Sequence, residues 1–236
     1  MHRIHSMPLA VRRVFPLATA LLICLIVAVG FGPTLDARLL RPLTPRPWLL
    51  YVHVALMTAW VLLFLAQTGL TYTRRISAHR RLGLMGVVLG VLIPVVGIAT
   101  AIVMTRLQAA EGGGDGASFL VVSFFDLLAF AVTFGLAIRW RTRPAYHGRL
   151  MIMASCCLVV PGLARLPEWL VPSNSWYVAV DTMIVAAAIW DRVVIGRVHP
   201  VYYYGLPALA IGQAATMWVY LSNAPIWIGF AQALLR

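Results

Sequence analysis

Apolar residues run along this chain in long unbroken stretches, and the charged positions fall between them. Seven such runs, Val14 to Leu35, Trp48 to Tyr72, Leu82 to Thr105, Ser118 to Trp140, Leu150 to Val171, Trp176 to Val194 and Val201 to Leu221, each hold roughly 20 residues, enough to cross a hydrocarbon core of about 30 Å as a helix rising about 1.5 Å per residue. Backbone amides left unpaired in lipid are too costly for irregular chain, so each run predicts a helix. The pattern predicts an all-α polytopic bundle of seven transmembrane helices over residues 14–221, a single integral membrane domain. A cytoplasmic segment, 1–13, precedes it and a short tail, 222–236, follows. The apolar stretch of the tail, Ile226 to Leu235 with Trp227, is too short to span and is expected to lie along the outer surface.

The breaks between runs are legible as well. Pro42, Pro45 and Pro47, among Arg38, Arg41 and Arg46, forbid helix after the first span. The segment Arg106 to Ala117, with its acidic and glycine-rich stretch at 111–116, predicts a flexible outer loop; it lacks the Gly-Lys-Ser/Thr ending of a phosphate-binding loop. Pro161 and Gly162 interrupt the fifth span. Gly83, Gly86, Gly90 and Gly97 in the third are spaced to bring another backbone close, which predicts a central helix.

Charge sets the orientation. Four arginines and a histidine crowd residues 73–83 between two apolar runs, so this turn marks a membrane surface, the cytoplasmic one by the usual excess of basic residues there. With the N-terminus inside, thirteen of the nineteen arginines fall on the inner side and the C-terminus lies outside, the arrangement of a bacterial inner-membrane protein. No small-x-small cleavage pattern follows the first run, so it is read as a retained helix. A composition 61% hydrophobic and 11% charged leaves too little polar surface for a soluble globule. The net charge of +12 punctuates the apolar runs, which makes the bilayer and its anionic headgroups the partner and argues against nucleic acid. Every basic residue is arginine, and the missing lysine closes P-loop and Schiff-base chemistry. Cys24, Cys156 and Cys157 lie inside apolar runs without C-x-x-C spacing, so they support neither a disulfide framework nor a zinc knuckle.

An internal repeat is visible. Residues 78–82 match 146–150 when His79 is aligned with His147, and Pro94 and Pro161 follow at comparable distance. Helices two and three, and then four and five, thus form a parallel repeat of hairpins around basic inner turns.

Two constellations carry candidate chemistry. In the outer half, His53, Asp126, Arg165 and Asp181 fall in one layer, about 7 to 12 Å below the surface by residue count. Ionisable groups at such depth face the bundle interior and pair with one another, so Arg165 is expected against Asp126 or Asp181. Polar stripes, His53 with Trp60 and Gln67, and Ser123 with Asp126 and Thr133, argue for an interior cavity. His53, Asp126 and Asp181 also make a ligand set for a divalent metal. In the inner half, His79 and His147 lie at equal depth at the starts of helices three and five, with His199 before helix seven. Paired histidines on alternate helices of a four-helix core can clamp haem b.

The layout of helices two to five resembles the di-haem four-helix cytochrome b cores, which implies bis-histidine haem at His79 and His147. The stretches 79–83 and 196–200 are similar to those of uncharacterised bacterial multi-pass membrane proteins. The chain departs from the cytochrome pattern at helix four, where Asp126 stands in place of a histidine to partner His53, so a second, outer haem is not implied. The expected function is an outer-half polar site for a small ligand, proton or metal; the alternatives are a haem b redox protein and a non-catalytic membrane scaffold or assembly factor.

Overall fold

The computed structural model describes residues 9–113 and 116–236. What was expected of residues 1–8 and of Gly114 and Asp115 lies outside the described residues. Nine α-helices and no strand occur among those described: α1 Leu9–Leu35, α2 Trp48–Tyr72, α3 Ile76–Ala110, α4 Leu120–Arg139, α5 Pro144–Cys157, α6 Val160–Leu163, α7 Trp176–Ile195, α8 Pro200–Leu221 and α9 Pro225–Leu235. Four of them, α1 from Arg13, α2, α3 and α4, are long and apolar enough to cross a membrane. The α2–α3 and α4–α5 hairpins are the most extensive neighbours in the bundle, with α1 packed on α2 and α8 on α4.

The runs read from the sequence map closely onto α2, α4, α7 and α8, and the differences elsewhere have local causes. α3 is 35 residues long, about 50 Å at 1.5 Å per residue, so it takes in the basic stretch around His79 as its first turns. The turn before it is correspondingly tight. Arg74 takes a left-handed conformation with φ of 61°, and the Arg75 N–H donates to Leu70 O at 2.8 Å, closing α2 as glycine usually does.

The run expected to form one span from Leu150 to Val171 does not do so. α5 stops after 14 residues at Cys157, one short turn follows as α6, and turns continue to Ser175. Pro161, Pro167 and Pro172 each withdraw a backbone donor there, which ends regular helix.

Of the third-helix glycines, Gly90 and Gly97 admit side chains of α4, and no neighbouring backbone. A Cβ on Gly90 would sit 2.2 Å from the Phe134 ring, and one on Gly97 2.7 Å from Leu127. The close backbone approach lies between α1 and α6, where a Cβ on Gly30 would meet Gly162 O at 2.5 Å. Around Gly90 the core is aromatic: Trp60 meets Phe130 and Phe134 edge-on at 5.0 and 5.5 Å, and the two phenylalanines stack at 5.5 Å.

At the end of the bundle away from His79, α9 packs against the 117–120 turn. Trp227 Nε1 donates to Ala117 O at 3.0 Å and Arg106 to Leu234 O at 2.7 Å. Of the loop expected from Arg106 to Ala117, the first five residues instead form the last turn of α3, and Glu111 just beyond them accepts from Thr44 at 2.5 Å and Arg46 at 2.8 Å. Those two partners hold the Glu111 carboxyl below the usual range.

Candidate functional site

The basic turns of the hairpins meet around one cavity of about 1790 Å³. Arg13 of α1, Arg80 of α3, Arg141 of the α4–α5 turn, Arg149 of α5 and Arg197 before α8 line it, as do His79, His147 and His199. Its walls run from this polar mouth to Trp60, Phe134 and Gly86. Since the arginines are spread over five separate stretches of chain, only folding gathers them.

Within the cavity His79 and His147 face each other. Their ring centroids are 6.4 Å apart and the ring planes stand at 79°. Two imidazoles bound to opposite sides of one metal, with metal–nitrogen bonds of about 2.0–2.1 Å, place their centroids roughly 6 Å apart. His147 Nδ1 lies 2.9 Å from Ala137 O, and because a carbonyl only accepts, Nδ1 is the donor and Nε2 is the nitrogen not engaged in that bond. His79 Nδ1 is buried without a hydrogen-bond partner, and the backbone carbonyl of His79 is held by Gln67 Nε2 at 3.2 Å. The two rings thus stand at about the spacing of an imidazole pair on one metal, on the lining of the cavity.

One wall of the cavity is fixed by an ion pair. Arg149 Nε and Nη2 donate to the two Asp191 oxygens at 2.6 and 2.7 Å, a bidentate bond between α5 and α7 with both side chains largely buried. Beside it His199 caps α8: its Nδ1 accepts from Val201 N–H at 3.2 Å, and its ring packs edge-on to Tyr146 at 4.6 Å. Partial burial first, then Arg149 and Arg197, push the His199 imidazole below its ordinary value, against the opposing pull of Asp191. Its acceptor role is lost on protonation, and the unfolded chain takes the proton at higher pH. The contribution of this cap is therefore complete above about pH 6.5 and is lost as pH falls through the lowered folded value. Thermal unfolding in detergent between pH 7 and 5 is expected to show this decline, and a His199→Asn variant, which keeps a cap without titrating, should show a shallower one.

The four-residue cluster expected in the outer half is only partly assembled. Asp126, 8% exposed, accepts from Tyr177 O–H at 2.9 Å. Asp181, one turn beyond Tyr177 on α7, lies beside Gln213 of α8, and the Cys157 thiol lies near both carboxyls. Arg165 does not join them. It is exposed, donates to Pro161 O at 2.6 Å and lies over the Phe31 ring at 4.3 Å, because the chain turns away after Cys157. His53 is half-buried on α2, and no group of three His, Cys, Asp or Glu side chains that could hold a metal occurs among the described residues. The metal set His53, Asp126 and Asp181 is thus not gathered. Removing the Tyr177 hydroxyl as Tyr177→Phe should cost about 1–3 kcal/mol of thermal stability, the usual penalty for stranding a buried acceptor. An unchanged melting curve would show that Asp126 finds another donor.

Three residues of these polar contacts are not singled out by the sequence pattern: Tyr177, Gln213 and the Arg149–Asp191 pair's acidic member. Asp191 had a signal, since it is the single acid on the inner side among thirteen arginines. Tyr177 and Gln213 had none beyond lying in apolar runs. No protein-family model matches this chain, and neither a curated protein nor a solved structure matches it.

Proposed function

We propose that this is a membrane redox protein that holds one haem b between His79 and His147. The observation that carries the reading is the facing imidazole pair at 6.4 Å, with His147 Nε2 not engaged in the Ala137 bond, on the wall of a cavity large enough for a macrocycle. Bound haem supplies one-electron transfer. The chain's own residues supply the rest. Ala137 O fixes His147 and strengthens it as a ligand, as second partners of ligating histidines do. Arg80, Arg141 and Arg197 at the mouth suit the two carboxylates of a haem, and Phe64, Val87 and Phe134 exclude water from the apolar end.

The same reading takes the chain as a seven-span protein of a bacterial inner membrane whose fifth crossing is broken, α5 followed by the short α6, with the basic turns and the haem on the cytoplasmic side and the C-terminus outside. The gathering of the arginine-rich turns at one end supports this orientation, and the likeness of the His79 and His147 hairpins supports their origin as a repeat. In the outer half, the Asp126–Tyr177 and Asp181–Gln213 layer is a site for a proton or small cation. Asp181 Oδ1 and Gln213 Oε1, both buried and lacking donors, favour that role.

Haem titration tests the central reading. Protein purified in detergent and supplied with hemin should develop a Soret band that saturates at one haem per chain. Absence of saturable binding under conditions where the chain remains helical would remove the proposal.

A further inference from the structure

Two buried oxygens in the outer half share one deficit. Asp181 Oδ1 of α7 and Gln213 Oε1 of α8 belong to side chains that lie beside each other on neighbouring helices, and neither oxygen receives a hydrogen bond. Both atoms are shut off from solvent, and Gln213 as a whole is 4% exposed, so water does not supply the missing donors. An ionised carboxyl only accepts, and an amide carries its donors on nitrogen alone. Turning the Gln213 amide over exchanges its two ends without adding a donor. With Asp181 as a carboxylate, two acceptors are therefore left over at a depth where an unpaired polar group is most costly.

A single proton removes both deficits. We infer that Asp181 is held as a carboxylic acid that donates its O–H to Gln213 Oε1, while the Gln213 amide N–H donates to the other carboxyl oxygen. Acid and amide then close a pair of hydrogen bonds between α7 and α8. The assignment rests on the reading of this layer as a site for a proton or small cation, and commits it to the proton. A hard cation takes about six oxygen ligands or more, whereas Asp181 and Gln213 leave two unmet, the number that one proton joins. Asp126 differs, since it has its donor in the Tyr177 hydroxyl at 2.9 Å. The other titratable groups around Asp181 are Tyr177 one turn outward and the Cys157 thiol of α5. α6 has no ionisable residue, α8 has only tyrosines, and Arg13 of α1 lines the cavity at the opposite end. Among the described residues no cation pairs with Asp181 to hold it as a carboxylate.

Infrared spectroscopy of the detergent-purified protein at neutral pH tests this. The carbonyl stretch of protonated carboxyls, identified by its shift in deuterated buffer, should lose one component in Asp181→Asn and show that component at higher frequency in Gln213→Leu. Asp181→Asn keeps both hydrogen bonds, because its amide N–H replaces the acid O–H, so it should melt with the parent while Asp181→Ala melts lower. A spectrum without an Asp181-dependent component, a component unmoved in Gln213→Leu, or an Asp181→Asn protein that fails to fold overturns the inference. Melting in sodium chloride against choline chloride, on the same proteins, checks the layer itself. Sodium-dependent stability that Asp181→Asn abolishes, with no protonated component, assigns the layer to a cation and overturns the proton alone. Absence of both effects removes the layer as a site.

Discussion

Alanine at His79, or at His147, is expected to abolish the low-spin haem spectrum, while alanine at His199 leaves it in place. Bis-histidine ligation would need both partners, because each would supply one of the two nitrogens that hold the iron. His199 also lines the cavity, yet its Nδ1 is committed to the Val201 N–H and its ring to Tyr146. The expected losses are therefore large for two histidines and negligible for the third, whereas a merely electrostatic role for these side chains would rank all three alike. Hemin titrations of the three variants, each checked for helical content by circular dichroism, distinguish the cases. Equal loss in all three would assign the histidines to folding.

The second large effect is expected on stability. Asp191→Ala leaves Arg149 buried without its bidentate partner, and breaking one side of such a pair costs about 3–5 kcal/mol. Both side chains are mostly shielded, with relative exposures of 15% for Arg149 and 8% for Asp191, so solvent screening rescues little of that cost. Replacing the pair together, as Arg149→Met with Asp191→Leu, removes the charge and fills the volume, and should recover most of the loss. Thermal melts of the single and double variants in one detergent measure this directly. A single variant as stable as the parent would mean that lipid headgroup or water reaches Arg149.

The same pair shows how far the amino-acid pattern reaches. Element existence was legible wherever length and apolarity decide it: α2 begins and ends where the run from Trp48 to Tyr72 does. α5 and α6 were not, because the apolar run to Val171 holds two prolines, Pro161 and Pro167, whose effect depends on what the chain can pack against after the break. The His79–His147 pairing was legible from equal depth on alternate helices. Which carboxylate meets which donor was not, since depth along a helix says nothing of its rotation. Arg165 and Asp126 share a layer and still part company, and Tyr177, silent among apolar neighbours, takes the place assigned to the arginine.

The central claim is a bis-histidine iron site, and cryogenic electron paramagnetic resonance of the oxidised, haem-loaded protein tests it most directly. Imidazole planes crossed at 79° predict a six-coordinate low-spin ferric signal of strong anisotropy, the kind that near-perpendicular axial ligands produce. A high-spin ferric signal, or a low-spin one that survives in His79→Ala protein, would contradict the account.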